Sequence, residues 1–325
     1  MSGSRVLVTG GYGFVGSRLC RDLVGRGYVV GVLDDLSLGR QENLARSVAS
    51  EVRPLIADVR DADTVVRHLR EFEPTTVYHL AAVHFIPTCE QQPSLAISAN
   101  VAGTQALLDA CRRTNSVEAI VVASSGAVYE PASEAHSEED TVAPTDIYGY
   151  SKEWTEKLSA YFHRSTGIPV GVARIFNVIG PGETNLHLLP AIIAQVLRGD
   201  ELRLGNLSTR RDYVFSDDVA DGLVRLAEGC RAQGLLTCNL GSEASITGAE
   251  LVDLVAQVAD RDVSITPDPA LFRESDRPIL LSDCSRAHDL LGWEARTPIE
   301  DAVAAALDQP FAAGFDSRNV AAPRV

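Results

Sequence analysis

Tyr148 and Lys152 stand four residues apart in Tyr148-Gly149-Tyr150-Ser151-Lys152. That spacing puts both side chains on one face of a helix, one turn from each other. An ammonium beside a phenol favours the phenolate, so Tyr148 could take the proton of a hydroxyl whose carbon is being oxidised, with Lys152 tuning it. Ser125 ends the apolar run that begins at Ile120 and could hydrogen-bond the same hydroxyl. Lys152 and Lys157 are the only lysines in the chain, and arginine fills every other basic position, so a lysine here stands out. A tyrosine and lysine four apart are common by chance. Their order relative to other motifs gives them meaning.

The first of those motifs is Gly10-Gly11-Tyr12-Gly13-Phe14-Val15-Gly16, which follows the strand-like run Val6 to Thr9 and opens a helical pattern. Glycines at 10, 13 and 16 permit a tight turn, close approach of backbone to a pyrophosphate, and close packing of helix on strand. The helix N-terminus adds N–H donors and the positive end of its dipole. Asp34 ends the second strand-like run about 20 residues further on, where a carboxylate bonds the adenine ribose of a dinucleotide. Asp35 is its neighbour. An acid at this point favours NAD over NADP.

Short β-branched runs at Val6 to Val8, Val29 to Leu33, Leu55 to Ala57, Val77 to Leu80, Ile120 to Ala123 and Val170 to Ile175 alternate with helical patterns. The helices expected between them include Phe14 to Val24, Leu95 to Arg112 and Ser151 to Phe162, with apolar residues at three-and-four spacing. This alternation implies an α/β fold: a doubly wound parallel sheet of the Rossmann type built by right-handed crossovers. Residues 1–176 are expected to form it, with 212–241 returning to it. Residues 177–211 and 242–309, looser and richer in turns, read as a smaller mixed α/β substrate lobe with helices near Leu188 to Leu197 and Ala249 to Val258. Residues 310–325 read as a tail.

The chain has 325 residues, of which 45% are hydrophobic and 22% charged. No apolar run reaches the roughly 18 residues of a membrane span. Met1 to Arg5 run straight into a strand, which leaves no room for a signal peptide and makes a cytoplasmic location the expectation. A formal charge of −15 excludes binding to nucleic acid or anionic membranes through a basic face. Six cysteines lack C-x-x-C spacing and seven histidines show no metal-ligand pairing along the chain, so neither a disulfide framework nor a metal is expected.

With these pieces in order, the chain resembles the extended short-chain dehydrogenases/reductases that act on nucleotide sugars, the NAD-dependent epimerase/dehydratase family, and most closely its UDP-glucose 4-epimerase branch. The resemblance covers nearly the whole chain. It adds Asp58-Val59 near adenine, His79-Leu80-Ala81-Ala82 after the fourth strand, and Asn100 as further cofactor residues, and it matches Ser125-Gly126-Ala127-Val128-Tyr129 to the catalytic serine segment. In the second half it implies that Asn177, Arg211 and the segment Arg273-Glu274-Ser275-Asp276, with Arg273 and Asp276, bind the nucleotide sugar. Two arginines converging on a diphosphate would let an acidic protein hold an anion. It also implies a homodimer through the helices Leu95 to Arg112 and Ser151 to Phe162.

The same resemblance bears on the reaction. Dehydratases of the family carry an Asp-Glu pair after the catalytic Ser/Thr, decarboxylases a glutamate where Ala127 stands, and 3,5-epimerases a cysteine there; this chain has Gly126 and Ala127. What remains is oxidation at C4, rotation of a transient 4-keto sugar and reduction on its other face, with a UDP-sugar as the expected substrate. A net NAD(P)-dependent ketoreductase, or a dehydratase or decarboxylase, on the same scaffold is the alternative. Three departures put the sugar in doubt: His84 stands where a lysine is frequent, His187 replaces an asparagine before Leu188, and Leu207 interrupts a glycine pair. Leu280 matches a position bounding the sugar pocket, where a branched side chain is expected to exclude 2-acetamido groups.

Overall fold

In Val6-Leu7-Val8 every side chain is apolar and every one is buried, as a strand covered on both faces requires. A computed structural model describes residues 3–183, 185–272 and 277–309. Its strands β1 (Arg5–Thr9), β2 (Val29–Asp34), β3 (Val52–Ile56), β4 (Thr76–His79), β5 (Ala119–Ser125) and β6 (Val170–Ile175) follow the expected runs. With β10 (Leu235–Leu240) they form a seven-stranded parallel sheet in the order β10-β6-β5-β4-β1-β2-β3.

Alternation along each strand separates two cores. Val6, Val8, Val30, Val32 and Val121 face the helices Phe14–Gly25 and Ser216–Gln233 through Leu19, Leu23, Val219 and Leu223. Leu7, Leu33, Val77, Ile120 and Val122 face Ala62–Phe72, Gly103–Arg112 and Ile147–Thr166 through Val65, Leu69, Leu107 and Phe162. The order of strands reverses between β1 and β4, and a doubly wound sheet binds its ligand at the carboxyl ends of the strands at such a switch point.

Two expectations are corrected. The helix Leu95 to Arg112 is not one regular helix: Pro93–Ile97 passes into a π turn at Ser98–Ala102 before Gly103–Arg112. A π turn accommodates an extra residue and marks functional segments, and here it contains the buried Asn100. The return to the large sheet also starts later than residue 212. Asp212 lies in β9 (Arg210–Phe215), which pairs with β7 (Asn177–Ile179), β11 (Ser245–Thr247) and β13 (Ile279–Leu280) in a separate four-stranded sheet. The helix Ser216–Gln233 and β10 make the return.

That smaller sheet, a two-stranded pair of β8 (Glu201–Leu204) with β12 (Ser264–Pro267), and helices Leu188–Val196, Gly248–Val258 and Ile299–Asp308 share a third core around Ile192, Leu251, Val255 and Val303. Asp212, fully buried, ties it to the large sheet's edge. Its carboxylate accepts from the backbone N–H groups of Ser242, Glu243 and Ser282 and from both serine hydroxyls.

The loop after β1 has no room for side chains. Gly10 has φ +68°, and a Cβ on Gly16 would lie 2.1 Å from the Gly10 carbonyl oxygen. A Gly16→Ala substitution must therefore move the turn, at a cost of about 1–3 kcal/mol, which corresponds to about 5- to 160-fold in affinity for a dinucleotide. We expect equilibrium dialysis to show that loss while the circular dichroism of the variant stays that of the parent.

Candidate active site

Lys152 projects from the helix Ile147–Thr166, whose start is set by Asp146: its carboxylate accepts from the Gly149 N–H at 2.7 Å. A Cβ on Gly149 would lie 2.7 Å from the Ala127 carbonyl oxygen, so this glycine lets the helix approach the segment after β5. The result is that Tyr148, Lys152 and Ser125 meet at the carboxyl end of β5. The buried Lys152 ammonium donates to the Ala123 carbonyl at 2.8 Å and lies 5.7 Å from the centre of the Tyr148 ring. Ser125 Oγ accepts from the Ala127 N–H at 3.2 Å.

Burial decides the electrostatics of both groups. It pushes the Tyr148 phenol well above its ordinary value; Ser125 works in the opposite direction, while Cys89 and Asp146 add to the rise. It pushes Lys152 down to about 8, with Cys89 and Glu156 opposing. The expectation that Lys152 itself lowers the phenol is therefore revised. Residues four apart do share a helix face, but the ammonium is engaged by the Ala123 carbonyl, and Ser125 is the neighbour that opposes the rise.

On the other side of the switch point, the helix Phe14–Gly25 begins at Gly13 with no side-chain cap and no acid in its first turn. Its first N–H groups and positive dipole end suit an anion. Phe14 is buried, Val15 and Gly16 complete the first turn, and the Gly13 N–H donates to the Gly10 carbonyl. Leu80-Ala81-Ala82 crosses directly over this turn: a Cβ on Gly10 would lie 2.8 Å from the Ala81 nitrogen. Asp34 is buried, and its two oxygens accept from the backbone N–H groups of Tyr12 at 3.0 Å and Leu36 at 2.9 Å. The glycine turn and the acid at the end of β2 are thus one hydrogen-bonded unit. Asp35 is exposed and binds Ser37 instead. Asp58 pairs with Arg60 at the rim, and Val59 packs against Gly103.

The Asn100 amide is taken up within the protein: it accepts from the Val83 N–H at 2.7 Å and donates to the Val83 carbonyl and to Ser151 Oγ, both at 2.9 Å. It fastens the loop after β4 to the helix that carries Tyr148 and Lys152. His79 does similar work further in, bridging Thr9 and Thr104 with its two ring nitrogens; burial pushes it down to about 3, so it is neutral.

A family model for the NAD dependent epimerase/dehydratase family matches residues 6–241. The chain belongs to that family. It is 32% identical over 310 residues to a UDP-glucose 4-epimerase of Mycolicibacterium smegmatis, covering 92% of this chain and 96% of that one. It is 31% identical over 310 residues to UDP-glucuronic acid decarboxylase 2 of Arabidopsis thaliana, covering 91% and 66%. Among solved structures, the UDP-glucose 4-epimerase of Thermus thermophilus in complex with NAD superimposes with a TM-score of 0.84 at 30% identity, over 94% of this chain and 98% of that one. The extended short-chain dehydrogenase fold expected from the motifs is thereby established, and the cofactor of the family is NAD. The close glycine turn, the uncapped helix start and the buried Asp34 fit that cofactor.

The structure places the residues expected to bind substrate unequally. Asn177 begins β7, and its side-chain oxygen is buried without a hydrogen-bond partner among the described residues, as a group awaiting a ligand donor would be. Arg211 Nη1 donates to the carbonyls of Arg210 and Arg277, both at 2.8 Å. Arg273 and Asp276 lie outside the described residues. Leu280 packs with Val128, Tyr129 and Phe176. His187 immediately precedes the helix that starts at Leu188, and His84 comes from the loop after β4. Their rings stack at 5.8 Å with Phe85 edge-on to His187 at 5.2 Å. His84 and His187, distant in sequence, meet the buried Glu183.

Two residues escaped the sequence reading. Arg277 is buried and donates to the carbonyls of Ala127 and Tyr129, both at 2.7 Å, and so holds the serine segment in place. Glu156 accepts from both Ser124 and Arg174 behind Lys152. Position along the chain offers no signal for either.

Among the described residues, no helix is long and apolar enough to cross a membrane. Lys152 offers a direct check on the site's electrostatics. The folded protein should release its proton near pH 8, against 10.5 for an ordinary lysine. Between those values the unfolded chain binds more protons, so stability rises with pH across the window. With 15N-lysine in a Lys157→Arg background a single side-chain signal remains. A midpoint near 8 that moves upward on denaturation is expected, and a midpoint above 10 in the folded protein would contradict the burial argument.

Proposed function

We propose that the protein catalyses NAD-dependent 4-epimerisation of a nucleoside diphosphate sugar, a UDP-sugar, through a transient 4-keto intermediate. The observation that carries this reading is the site's small inventory of proton-transfer groups. Ser125 neighbours Tyr148, Lys152 lies 5.7 Å from the centre of the Tyr148 ring, and the two positions after Ser125 are Gly126 and Ala127, which offer neither carboxylate nor thiol. Oxidation and re-reduction at one carbon need one proton acceptor that later donates. Dehydration needs an acid and base more.

NAD, when bound, supplies the reversible two-electron oxidation of the sugar carbon. Ser125 orients the sugar hydroxyl and stabilises the phenolate. Tyr148 takes the hydroxyl proton and returns it after the ketone has turned. Lys152 donates to the Ala123 carbonyl and so holds the helix that carries Tyr148 against the end of β5. Gly10, Gly13, Phe14, Val15, Gly16, Asp34, Asp35, Asp58, Val59, Leu80, Ala81 and Ala82 form the proposed cofactor cleft, with Asn100 bracing it. Asn177, whose oxygen has no hydrogen-bond partner among the described residues, is the proposed nucleotide-sugar contact, joined by His84, His187, Leu188, Arg211, Arg273 and Asp276. A cytoplasmic location goes with nucleotide-sugar chemistry.

The test is to incubate the protein with UDP-hexoses and UDP-hexuronates without added cofactor and to follow products by chromatography and proton NMR. A 4-epimer of unchanged mass, with NAD released on denaturation, is expected. Tyr148→Phe should retain NAD and lose about 10²–10⁴-fold in rate. Loss of carbon dioxide or water, or conversion that consumes NADH stoichiometrically, would favour the decarboxylase, dehydratase or ketoreductase reading.

We also infer a homodimer. Tyr150, Trp154 and Tyr161 on one helix and Leu95 and Ile97 on the helical segment beside it are exposed, an apolar stripe that a second copy of the chain would cover. Trp154→Asp is expected to halve the mass measured by light scattering at micromolar concentration; an unchanged mass would remove this stripe as the interface.

A further inference from the structure

His84 and the loop that carries Glu183 and His187 belong to different parts of the chain, yet the fold gathers one donor atom from each of the three side chains to within 4.8 Å of one another. Two imidazoles and one carboxylate are the donor set of three-ligand zinc sites, and a tetrahedral ion so held keeps its fourth position open. Ligand atoms of a tetrahedral ion with bonds of about 2.0–2.2 Å stand about 3.3–3.6 Å apart, so binding would draw the three together.

Glu183 is 4% exposed, and one of its oxygens accepts from the Asn185 N–H at 3.1 Å. The His84 Nε2 lies 3.1 Å from the Asn185 side-chain nitrogen. Asn185, its amide turned over, would bring an oxygen to the same place. Lys152 is close enough to bear on His84 electrostatically, so the cluster borders the catalytic group.

We propose that His84, Glu183 and His187 form a binding site for a divalent transition-metal ion, with zinc the best match to the donor set, and that its open position faces the substrate. Metal binding itself is independent of the epimerase reading. Only the second clause rests on that reading, and it places a substrate oxygen, from a hydroxyl or a uronate carboxylate, on the ion.

The experiment uses the full-length protein with its co-purified NAD, stripped with a chelator and titrated with zinc against a chromophoric competitor, then reconstituted with cobalt. One equivalent bound at micromolar or lower dissociation constant, with the visible bands of tetrahedral cobalt, is expected. His187→Ala and Glu183→Gln should each weaken binding tenfold or more while keeping the NAD content of the parent. Glu183→Gln, being isosteric, decides the matter if His187→Ala fails to fold. Less than one equivalent on the parent, or equal affinity in parent and Glu183→Gln, overturns the site. Adding UDP-glucose or UDP-glucuronic acid to the cobalt form should shift its visible bands. A saturated metal site with unmoved bands for both overturns the open position, and product analysis tests the epimerase reading separately.

Discussion

The buried ammonium of Lys152, donating to the Ala123 carbonyl, is the contact around which the catalytic end of the molecule is arranged. A lysine held out of water is destabilising unless its charge is answered, and here the answers come from the end of β5 and, behind it, from Glu156. Because that ammonium must reach a strand end, the helix Ile147–Thr166 has to start close against the segment after β5. Asp146 fixes the start and Gly149 permits the approach. Tyr148 and Ser125 then meet as a consequence, without any contact made for that purpose alone.

The same logic governs the cofactor side. Asn100 sits in a π turn, and a regular helix would rotate its amide away from Val83 and Ser151. By engaging its side chain there, Asn100 couples the loop after β4, which roofs the glycine turn, to the helix that carries the catalytic pair. His79 makes a second, neutral bridge from β1 to β4 and onward to the helix behind them. The cleft where NAD fits and the proton-transfer groups are thus held by shared, buried hydrogen bonds, which is how a site keeps its geometry without a rigid covalent frame.

What was legible in the sequence was what is local. The glycines at 10, 13 and 16, the acid at the end of β2 and the tyrosine and lysine one helical turn apart each act through neighbours a few residues away, and the two-sided burial of the strands shows in their unbroken apolar runs. Arg277, Asp212, Glu156 and the meeting of His84 with Glu183 and His187 were not legible, because each gains its role from burial against segments distant in the chain. The π turn was hidden for another reason: the apolar period through Ser98–Ala102 stays close to helical, and only the partners of Asn100 distinguish it. The late return of the chain to the large sheet was missed because β9 reads like any buried strand, and pairing alone assigns it to the smaller sheet.

The departures from the family pattern gather in one place. His84 and His187 were each noted singly, as an unusual residue near the cofactor and an unusual residue before a helix, and each alone reads as an exposed loop histidine. In three dimensions they are neighbours, stacked on each other with a buried glutamate between the same loops. Substitutions that cluster in space after being scattered in sequence point to one altered contact. The scaffold keeps the family's form, and these departures lie in the loops after β4 and before the helix Leu188–Val196, from which several of the proposed substrate contacts come.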